Sequence, residues 1–190
     1  KTLTLFAFSS ENWHRPEAEV RALMALLSRY LRREINQLAE DGVRVRFIGR
    51  RDRLSPRIAK LLEWSEQATA HNTDTTLVLA LDYGGRWDVG AAASSLAHDV
   101  EAGRLRAEDI DETSLSARMS LAVQPTLDLC IRTGGEYRLS NFLLWPSAYA
   151  ELWFTKTLWP DFTVDELDVA IDHFAGRERR YGGRPAEVQS

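Results

Sequence analysis

Four stretches of the sequence concentrate side chains that bind anions or transfer protons. They are "SSENWHR" (9–15), "GR" (49–50), "DYGGRWD" (82–88) and "RTGGEYRLSN" (132–141). Arginine forms paired hydrogen bonds with phosphate oxygens, and glycine lets backbone N–H groups approach an anion. The residue types therefore predict a phosphate or diphosphate site. The alternative is that the glycines serve tight turns and that the arginines are solvated.

Strand and helix patterns alternate along the chain, and this order indicates the elements that would position those residues. Apolar or alternating runs predict strands at 2–8, 43–49, 76–85, 127–135 and 152–154. Helical spacing predicts helices over 16–40, 55–71, 87–102 and 163–180, with two short helical pieces within 106–119. This order is typical of an α/β fold with a mostly parallel sheet covered by helices on both faces. Ligands bind beyond the carboxyl ends of such strands, a rule that singles out the same four stretches.

The sequence pattern does not decide which residue occupies one position on the apolar face of the first helix. The residues that recur at three- and four-residue spacing are Val20, Leu23, Leu27, Ile35 and Leu38, with either Tyr30 or Leu31 between them. Pro16 suits the first turn of this helix and Gly42 its end. At the last helix, Thr163 and Glu166 have the spacing of a capping box.

Length and composition favour one globular domain over 1–183, followed by a disordered tail at 184–190. The net charge of −4 argues against a nucleic-acid partner. A single cysteine, Cys130, forms no internal disulfide, and its apolar surroundings in "LDLCI" favour a buried thiol in a reducing, cytoplasmic setting. No apolar run in the sequence is long enough to cross a bilayer.

Several ordered blocks together resemble one enzyme family. They are "FAFSSENWHRP", "DYGGRWD", "IRTGGEYRLSNFLLWPSAYAELWFT", "LWPDF" and "RERRYGG", which span nearly the whole chain. They resemble the cis-prenyltransferases, and among these most closely the bacterial undecaprenyl diphosphate synthases. The resemblance implies condensation of isopentenyl diphosphate with an allylic diphosphate, usually farnesyl diphosphate. The product would be a long cis-polyprenyl diphosphate such as undecaprenyl diphosphate, the lipid carrier for cell-wall synthesis.

The resemblance also implies roles for individual residues. Asn12 matches the residue assigned to proton removal or its relay. Because a neutral amide is a poor base, we interpret Asn12 as orienting a proton path to a diphosphate oxygen. Glu151 resembles the family's Mg²⁺ ligand. The residues expected to contact substrate are Ser9, Ser10, Glu11, Trp13, Arg15, Arg132, Arg138, Leu139, Ser140, Arg180 and Gly182.

Arg180 and Gly182 match a terminal motif that reaches the isopentenyl diphosphate site of a neighbouring subunit, so a homodimer is expected. The alternative for this basic segment is that its arginines complement the dipole of the last helix. We expect a cytoplasmic enzyme that delivers its product to a membrane, with peripheral membrane contact.

The sequence departs from the family in two places. Family members begin with a strand that ends in an aspartate, followed by a "DGNGRW"-like loop for the allylic diphosphate, and no such stretch occurs in residues 1–190. We therefore expect an N-terminally truncated chain that does not elongate farnesyl diphosphate; any Mg²⁺-dependent elongated product would contradict this. Tyr137 stands where a histidine is frequent beside the second arginine.

Two other functions are compatible with parts of the pattern. A non-catalytic partner subunit of a heteromeric cis-prenyltransferase would be expected to lose "SSENW" and "RTGGE", which this chain keeps. A generic phosphate-binding α/β module would be expected to carry a glycine-rich loop after its first strand, or a P-loop, and neither is present.

Overall fold

The computed structural model describes residues 1–177, which divide into two compact units. The first unit is Lys1–Pro125 and the second begins at Thr126. The predicted single domain over 1–183 stays a prediction, and the predicted tail at 184–190 lies outside the described residues.

The first unit is built on a three-stranded parallel sheet. Its strands are β1 (Thr2–Ser9), β2 (Val43–Ile48) and β3 (Thr75–Tyr83), and β3 lies between the other two. Both pairings are parallel. The carboxyl half of β3 is buried, as expected for a central strand of a parallel sheet with an almost continuous apolar sequence.

Four α-helices connect these strands or follow them: α1 (Glu17–Glu40), α2 (Pro56–Ala68), α3 (Gly85–Glu101) and α4 (Glu112–Ser116). On α1 the buried residues are Val20, Met24, Leu31 and Ile35, which lie on one face of the helix. Tyr30 is 53% exposed, so Leu31 occupies the position that the sequence left open. This face packs into a core with Val45, Phe47 and Leu81 of the sheet.

The second unit contains a two-stranded parallel sheet, β4 (Leu129–Arg132) and β5 (Glu151–Phe154), and helix α5 (Val164–Ala175). The capping box of α5 is confirmed: the Thr163 N–H donates to Glu166 at 3.2 Å, and the Glu166 N–H donates to Thr163 Oγ1 at 3.4 Å. Every strand pairing within residues 1–177 is parallel, which confirms the predicted α/β class. The strands form two sheets, however, where the sequence analysis predicted one.

Short 3-10 helices occur at Ser10–His14, Ala107–Asp109, Pro146–Tyr149 and Trp159–Asp161, and only the second of these was predicted. They are too short to show a helical hydrophobic period. The 3-10 helix Ala107–Asp109 and helix α4 are the two short helical pieces predicted within 106–119.

Gly49 brings the carboxyl ends of β2 and β3 close together. Its φ is +113°, and a Cβ atom at this position would lie 2.0 Å from the Leu81 carbonyl oxygen. Only glycine fits such a backbone approach. Beside it, the Arg50 N–H donates to the Asp82 carbonyl oxygen at 3.1 Å. The segment after β2 is therefore held against the start of "DYGGRWD".

Candidate functional site

The loop after β1 fixes the orientation of the Asn12 side chain. Ser9 precedes the 3-10 helix Ser10–His14, and its backbone N–H donates to Asn12 Oδ1 at 2.9 Å. Because this bond engages the amide oxygen, the Nδ2 group remains to donate to a ligand. The geometry favours Asn12 as a hydrogen-bond donor to an anion over Asn12 as a proton acceptor.

Trp13 is held between an aromatic ring and a cation. The Phe8 ring meets it edge to face, with the ring centroids 5.3 Å apart, and the Arg53 guanidinium carbon lies 5.5 Å from the indole centroid. The indole Nε1 is buried and has no hydrogen-bond partner within residues 1–177. One face of the indole is thus occupied by a cation of the protein itself, a contact that the sequence analysis did not predict.

Arg53 is in turn anchored by a buried carboxylate. The Asp82 side chain is fully buried, and both of its oxygens accept from Arg53, with the Nε–Oδ2 distance at 2.9 Å. Asp82 also has a φ of +51°, a conformation that non-glycine residues adopt rarely. A continuous path of contacts therefore runs from the end of β3 through Arg53 to Trp13.

Three other predicted residues of this loop are exposed or half-buried and hydrogen-bond locally. Arg15 donates to Glu19 at 2.6 Å, and the two side chains are about half exposed, at 50% and 45%. Ser10 Oγ donates to Glu11 at 3.3 Å. Because the Arg15 pair is exposed, a phosphate oxygen can replace Glu19 at low energetic cost.

The stretch "DYGGRWD" contains a buried polar network in addition to Asp82. The Tyr83 hydroxyl donates to Asp88 Oδ2 at 2.9 Å, while the Ser120 N–H and hydroxyl donate to Asp88 Oδ1 at 3.0 and 2.7 Å. Burial, together with the Asp88 carboxylate, raises the pKa of Tyr83 far above its usual range. These side chains hold the start of α3 in place, which supports the structural reading of this stretch.

In the second unit, β4 ends at Arg132, so the strand is shorter than the stretch predicted over 127–135. The Arg132 Nε atom is buried and has no hydrogen-bond partner in the described part of the chain. A buried guanidinium N–H without an acceptor is costly unless a ligand supplies one. This is the strongest indication of an anion site among the predicted residues.

The glycines after Arg132 do not offer their N–H groups to an anion. The Gly134 N–H donates to the Thr157 carbonyl oxygen at 2.8 Å, and the Gly135 N–H donates to that of Thr155 at 2.9 Å. Both glycines have positive φ, +87° and +73°. For these two residues the anion-cradle interpretation is wrong, because their donors are already used, and their positive φ accounts for glycine at both positions.

The remainder of this loop presents Arg138 and Ser140. Arg138 is exposed and pairs with Glu136, and Ser140 is exposed with a φ of +48°. Leu139, also predicted, is half-buried, and its carbonyl oxygen accepts from the Phe142 N–H at 3.0 Å. Asn141 and Leu143 also have positive φ, at +64° and +46°. Such a concentration of unfavourable backbone conformations is characteristic of functional loops.

Glu151 begins β5 and is half-buried. Within residues 1–177 no three histidine, cysteine, aspartate or glutamate side chains come together as a metal site. Glu151 alone can offer one carboxylate to a cation. Mg²⁺ is commonly bound by one or two carboxylates together with phosphate oxygens and water, so this residue fits a site that substrate completes.

Two predicted residues, Arg180 and Gly182, lie outside the described residues. Sequence reasoning missed Arg53 and Asp82. The signal for Arg53 was the arginine-rich run "GRRDR" after β2, of which only the first two residues were singled out. Asp82 opens a stretch that was noted for its glycines.

Comparison with known proteins agrees with this arrangement. The family model described as "Putative undecaprenyl diphosphate synthase" matches residues 1–182. A relative from Xanthomonas axonopodis pv. citri is 54% identical over 186 residues, which are 98% of this chain and 72% of that protein. One from Acinetobacter baylyi is 49% identical, with 100% of this chain and 76% of that protein covered. Both are named ditrans,polycis-undecaprenyl-diphosphate synthase ((2E,6E)-farnesyl-diphosphate specific).

Solved structures give the same result. Lavandulyl diphosphate synthase from Lavandula x intermedia, in complex with dimethylallyl diphosphate, has a TM-score of 0.92 at 34% identity, covering 96% of this chain and 79% of that one. A probable undecaprenyl diphosphate synthase from Campylobacter jejuni has a TM-score of 0.85 at 36% identity, covering 96% and 83%. The matched family model and these relatives establish that the chain belongs to the undecaprenyl diphosphate synthase family of prenyltransferases.

Proposed function

We propose that this protein condenses isopentenyl diphosphate with an allylic diphosphate, farnesyl diphosphate, to make a long cis-polyprenyl diphosphate such as undecaprenyl diphosphate. Relatives about half identical over almost the whole chain carry that activity in their names. The single structural observation that carries the proposal is the buried, unpartnered Nε of Arg132 at the end of β4.

Arg132, Arg138 and Ser140 would bind the diphosphate of the isopentenyl substrate. The Arg132 Nε–H would donate to a phosphate oxygen, which satisfies a donor that has no acceptor within residues 1–177. Arg138 would exchange Glu136 for a second oxygen, because their ion pair is exposed. Leu139 would hold the loop between these two polar residues.

The residues after β1 would serve the reaction itself. In the bond-forming step, the alkene of isopentenyl diphosphate attacks C1 of the allylic substrate, whose C1–O bond breaks and releases diphosphate. One proton leaves the new carbocation and passes to a diphosphate oxygen. Asn12, whose Oδ1 is engaged by Ser9, would donate through Nδ2 and orient that oxygen. Ser10, Glu11 and Arg15 would contact the substrates beside it.

Trp13 would lie beside the reacting carbons. The Arg53 guanidinium over one face of the indole fixes the plane of the ring. The other face can then stabilise positive charge that develops on the allylic carbon.

Glu151 would provide the protein ligand to Mg²⁺, with diphosphate oxygens and water completing the coordination. The bound ion would neutralise charge on the departing diphosphate. Arg180 and Gly182 would contribute to the isopentenyl site of a second subunit in a homodimer. We further propose a cytoplasmic location with peripheral contact to a membrane. No helix within residues 1–177 is long and apolar enough to cross one.

Calorimetric titration with isopentenyl diphosphate tests the proposal through the variant Arg132→Gln. A hydrogen bond to a charged group is worth about 1.5–3 kcal/mol, so the dissociation constant should rise roughly 10- to 100-fold. The matched control is Arg106→Gln, which removes an exposed arginine paired with Glu108 and should leave binding unchanged.

Equal affinity of the wild type and Arg132→Gln for isopentenyl diphosphate would refute the assigned site. Inorganic diphosphate that binds as tightly as isopentenyl diphosphate would favour a generic phosphate-binding module. The wild type is then assayed with both substrates and Mg²⁺. Because residues 1–190 contain no "DGNGRW"-like loop, binding without turnover is expected of this stretch alone. Turnover that appears only when a second, catalytic cis-prenyltransferase chain is added would favour the non-catalytic partner subunit.

A further inference from the structure

A groove lined by residues of α1 and α2 carries three positively charged side chains. It measures about 600 Å³ and is lined by Arg32, Asn36, Arg57, Lys60, Leu61 and Trp64, which we call the basic groove. Arg32 and Asn36 come from α1, and the other four come from α2. The groove belongs entirely to the first unit and none of its residues is part of the site described above.

The three cations of the basic groove have no carboxylate partner within residues 1–177. Arg32, Arg57 and Lys60 are exposed and form no ion pair within the described residues, and no acidic side chain lines the groove. Exposed arginines elsewhere, such as Arg21 and Arg106, pair with a neighbouring glutamate. In a chain with a net charge of −4, uncompensated cations on one concave surface mark a site for an anion.

Apolar side chains beside these cations indicate which kind of anion the groove binds. Trp64 is 42% exposed within the groove, and Leu61 forms its floor. An exposed tryptophan next to arginine and lysine is characteristic of surfaces that lie at a membrane interface.

We propose that the basic groove binds the phosphate headgroups of an anionic phospholipid bilayer and docks the enzyme on the membrane surface. The inference rests on the proposed function, because a polyprenyl diphosphate product is a lipid that must enter a bilayer. Arg32, Arg57 and Lys60 contact phosphate oxygens, while Trp64 inserts at the level of the headgroups. No helix of residues 1–177 can span a membrane, so docking is a surface interaction.

Co-sedimentation with vesicles tests the proposal. The probes are phosphatidylcholine vesicles with and without phosphatidylglycerol. The wild type should bind only the vesicles that contain phosphatidylglycerol, and binding should fall with added salt because the charges are exposed. Each cation near an anionic surface contributes on the order of fivefold to binding, so Arg32→Gln/Arg57→Gln/Lys60→Gln should weaken it about 100-fold.

The control variant Arg21→Gln/Arg33→Gln/Arg106→Gln removes the same number of positive charges from exposed arginines outside the groove, and it should bind like the wild type. Trp64→Gln should weaken binding without altering the net charge. Titration with isopentenyl diphosphate in parallel verifies that each variant is folded. It also separates a failure of the groove from a failure of the proposed function.

Three results would overturn the proposal. One is equal vesicle binding by the groove variant and the control variant. The second is displacement from vesicles by inorganic phosphate at matched ionic strength, which would make the groove a site for free phosphate. The third is a change in oligomeric state in the groove variant with no change in vesicle binding, which would assign the surface to a second copy of the chain.

Discussion

Replacing Arg53 by methionine should destabilise the protein by removing the only described partner of a buried carboxylate. The Asp82 side chain is 0% exposed, and both of its oxygens accept from Arg53. The Arg53 side chain is itself 35% exposed. Methionine keeps the length and the apolar stem of arginine, so the change removes charge and hydrogen bonds with little loss of packing.

The expected loss in the free energy of unfolding follows from the burial of the Arg53–Asp82 ion pair. Breaking a buried ion pair by removing one partner costs about 3–5 kcal/mol. Because the guanidinium end is partly exposed, water can reach the site, and we expect the lower limit of about 3 kcal/mol. Loss of the cation–π contact with Trp13 adds about 0.5–1 kcal/mol. The free energy of unfolding of Arg53→Met should therefore fall by about 3.5 kcal/mol.

Urea denaturation followed by circular dichroism measures this change, and a double-mutant cycle isolates the pair. The variant Arg53→Met/Asp82→Asn carries no buried charge, and it should be more stable than Arg53→Met alone. The coupling between the two substitutions should exceed about 2 kcal/mol, since residues in one ion pair are not additive. Additive effects of the two substitutions, or a loss below about 1 kcal/mol in Arg53→Met, would refute the reasoning.

Three further predictions concern other parts of the molecule. Gly49→Ala should prevent folding or lower the free energy of unfolding, measured by urea denaturation, by several kcal/mol. Gly103 also has positive φ but has open space around it, so Gly103→Ala should lower it by only about 1–2 kcal/mol. Equal losses of stability in the two variants would contradict the close backbone approach at Gly49. The hydrogen bond from Arg104 lowers the pKa of Asp99 in the folded protein. The ionised Asp99 therefore stabilises the fold above its unfolded-state pKa of about 3.9, and this contribution is lost as the pH falls through its lower folded-state pKa. The stability difference between the wild type and Asp99→Asn should therefore shrink below about pH 4 in acid titrations, and a constant difference would contradict it. Burial raises the pKa of Cys130, so its thiol should react with a disulfide reagent far more slowly in the native protein than in urea; equal rates would show that the thiol is accessible.

Local patterns were sufficient for most of the secondary structure. The predicted strand at 2–8 is β1, and the helix predicted over 16–40 is α1, because helical period and capping act over a few neighbouring residues. The capping box at Thr163 formed as its spacing predicts. The helix predicted to His71 ends at Ala68 instead. There the Thr69 hydroxyl accepts from the Val45 N–H of β2, a contact that sequence spacing does not contain.

For the candidate site too, the sequence predicted some features and only the folded structure shows others. The resemblance predicted Asn12 and Arg132 as site residues, but the sequence does not show which of their atoms are hydrogen-bonded or buried. That the Asn12 oxygen is engaged by Ser9 and that the Arg132 Nε is buried without a partner are properties of the folded chain. Likewise, the glycines after Arg132 were read as an anion cradle because nothing in their order shows that two threonine carbonyls accept their N–H groups.

The sequence by itself determined the succession of elements, the faces of the long helices and the family. These depend on residue type, on period and on short-range spacing, all of which can be read along one chain. Only the tertiary structure decided that Asp82 pairs with Arg53, 29 positions earlier, and that Arg32 and Lys60 share one groove. Such contacts depend on strand register and on how helices pack. Those are set by the burial of the whole core, and no local stretch specifies them.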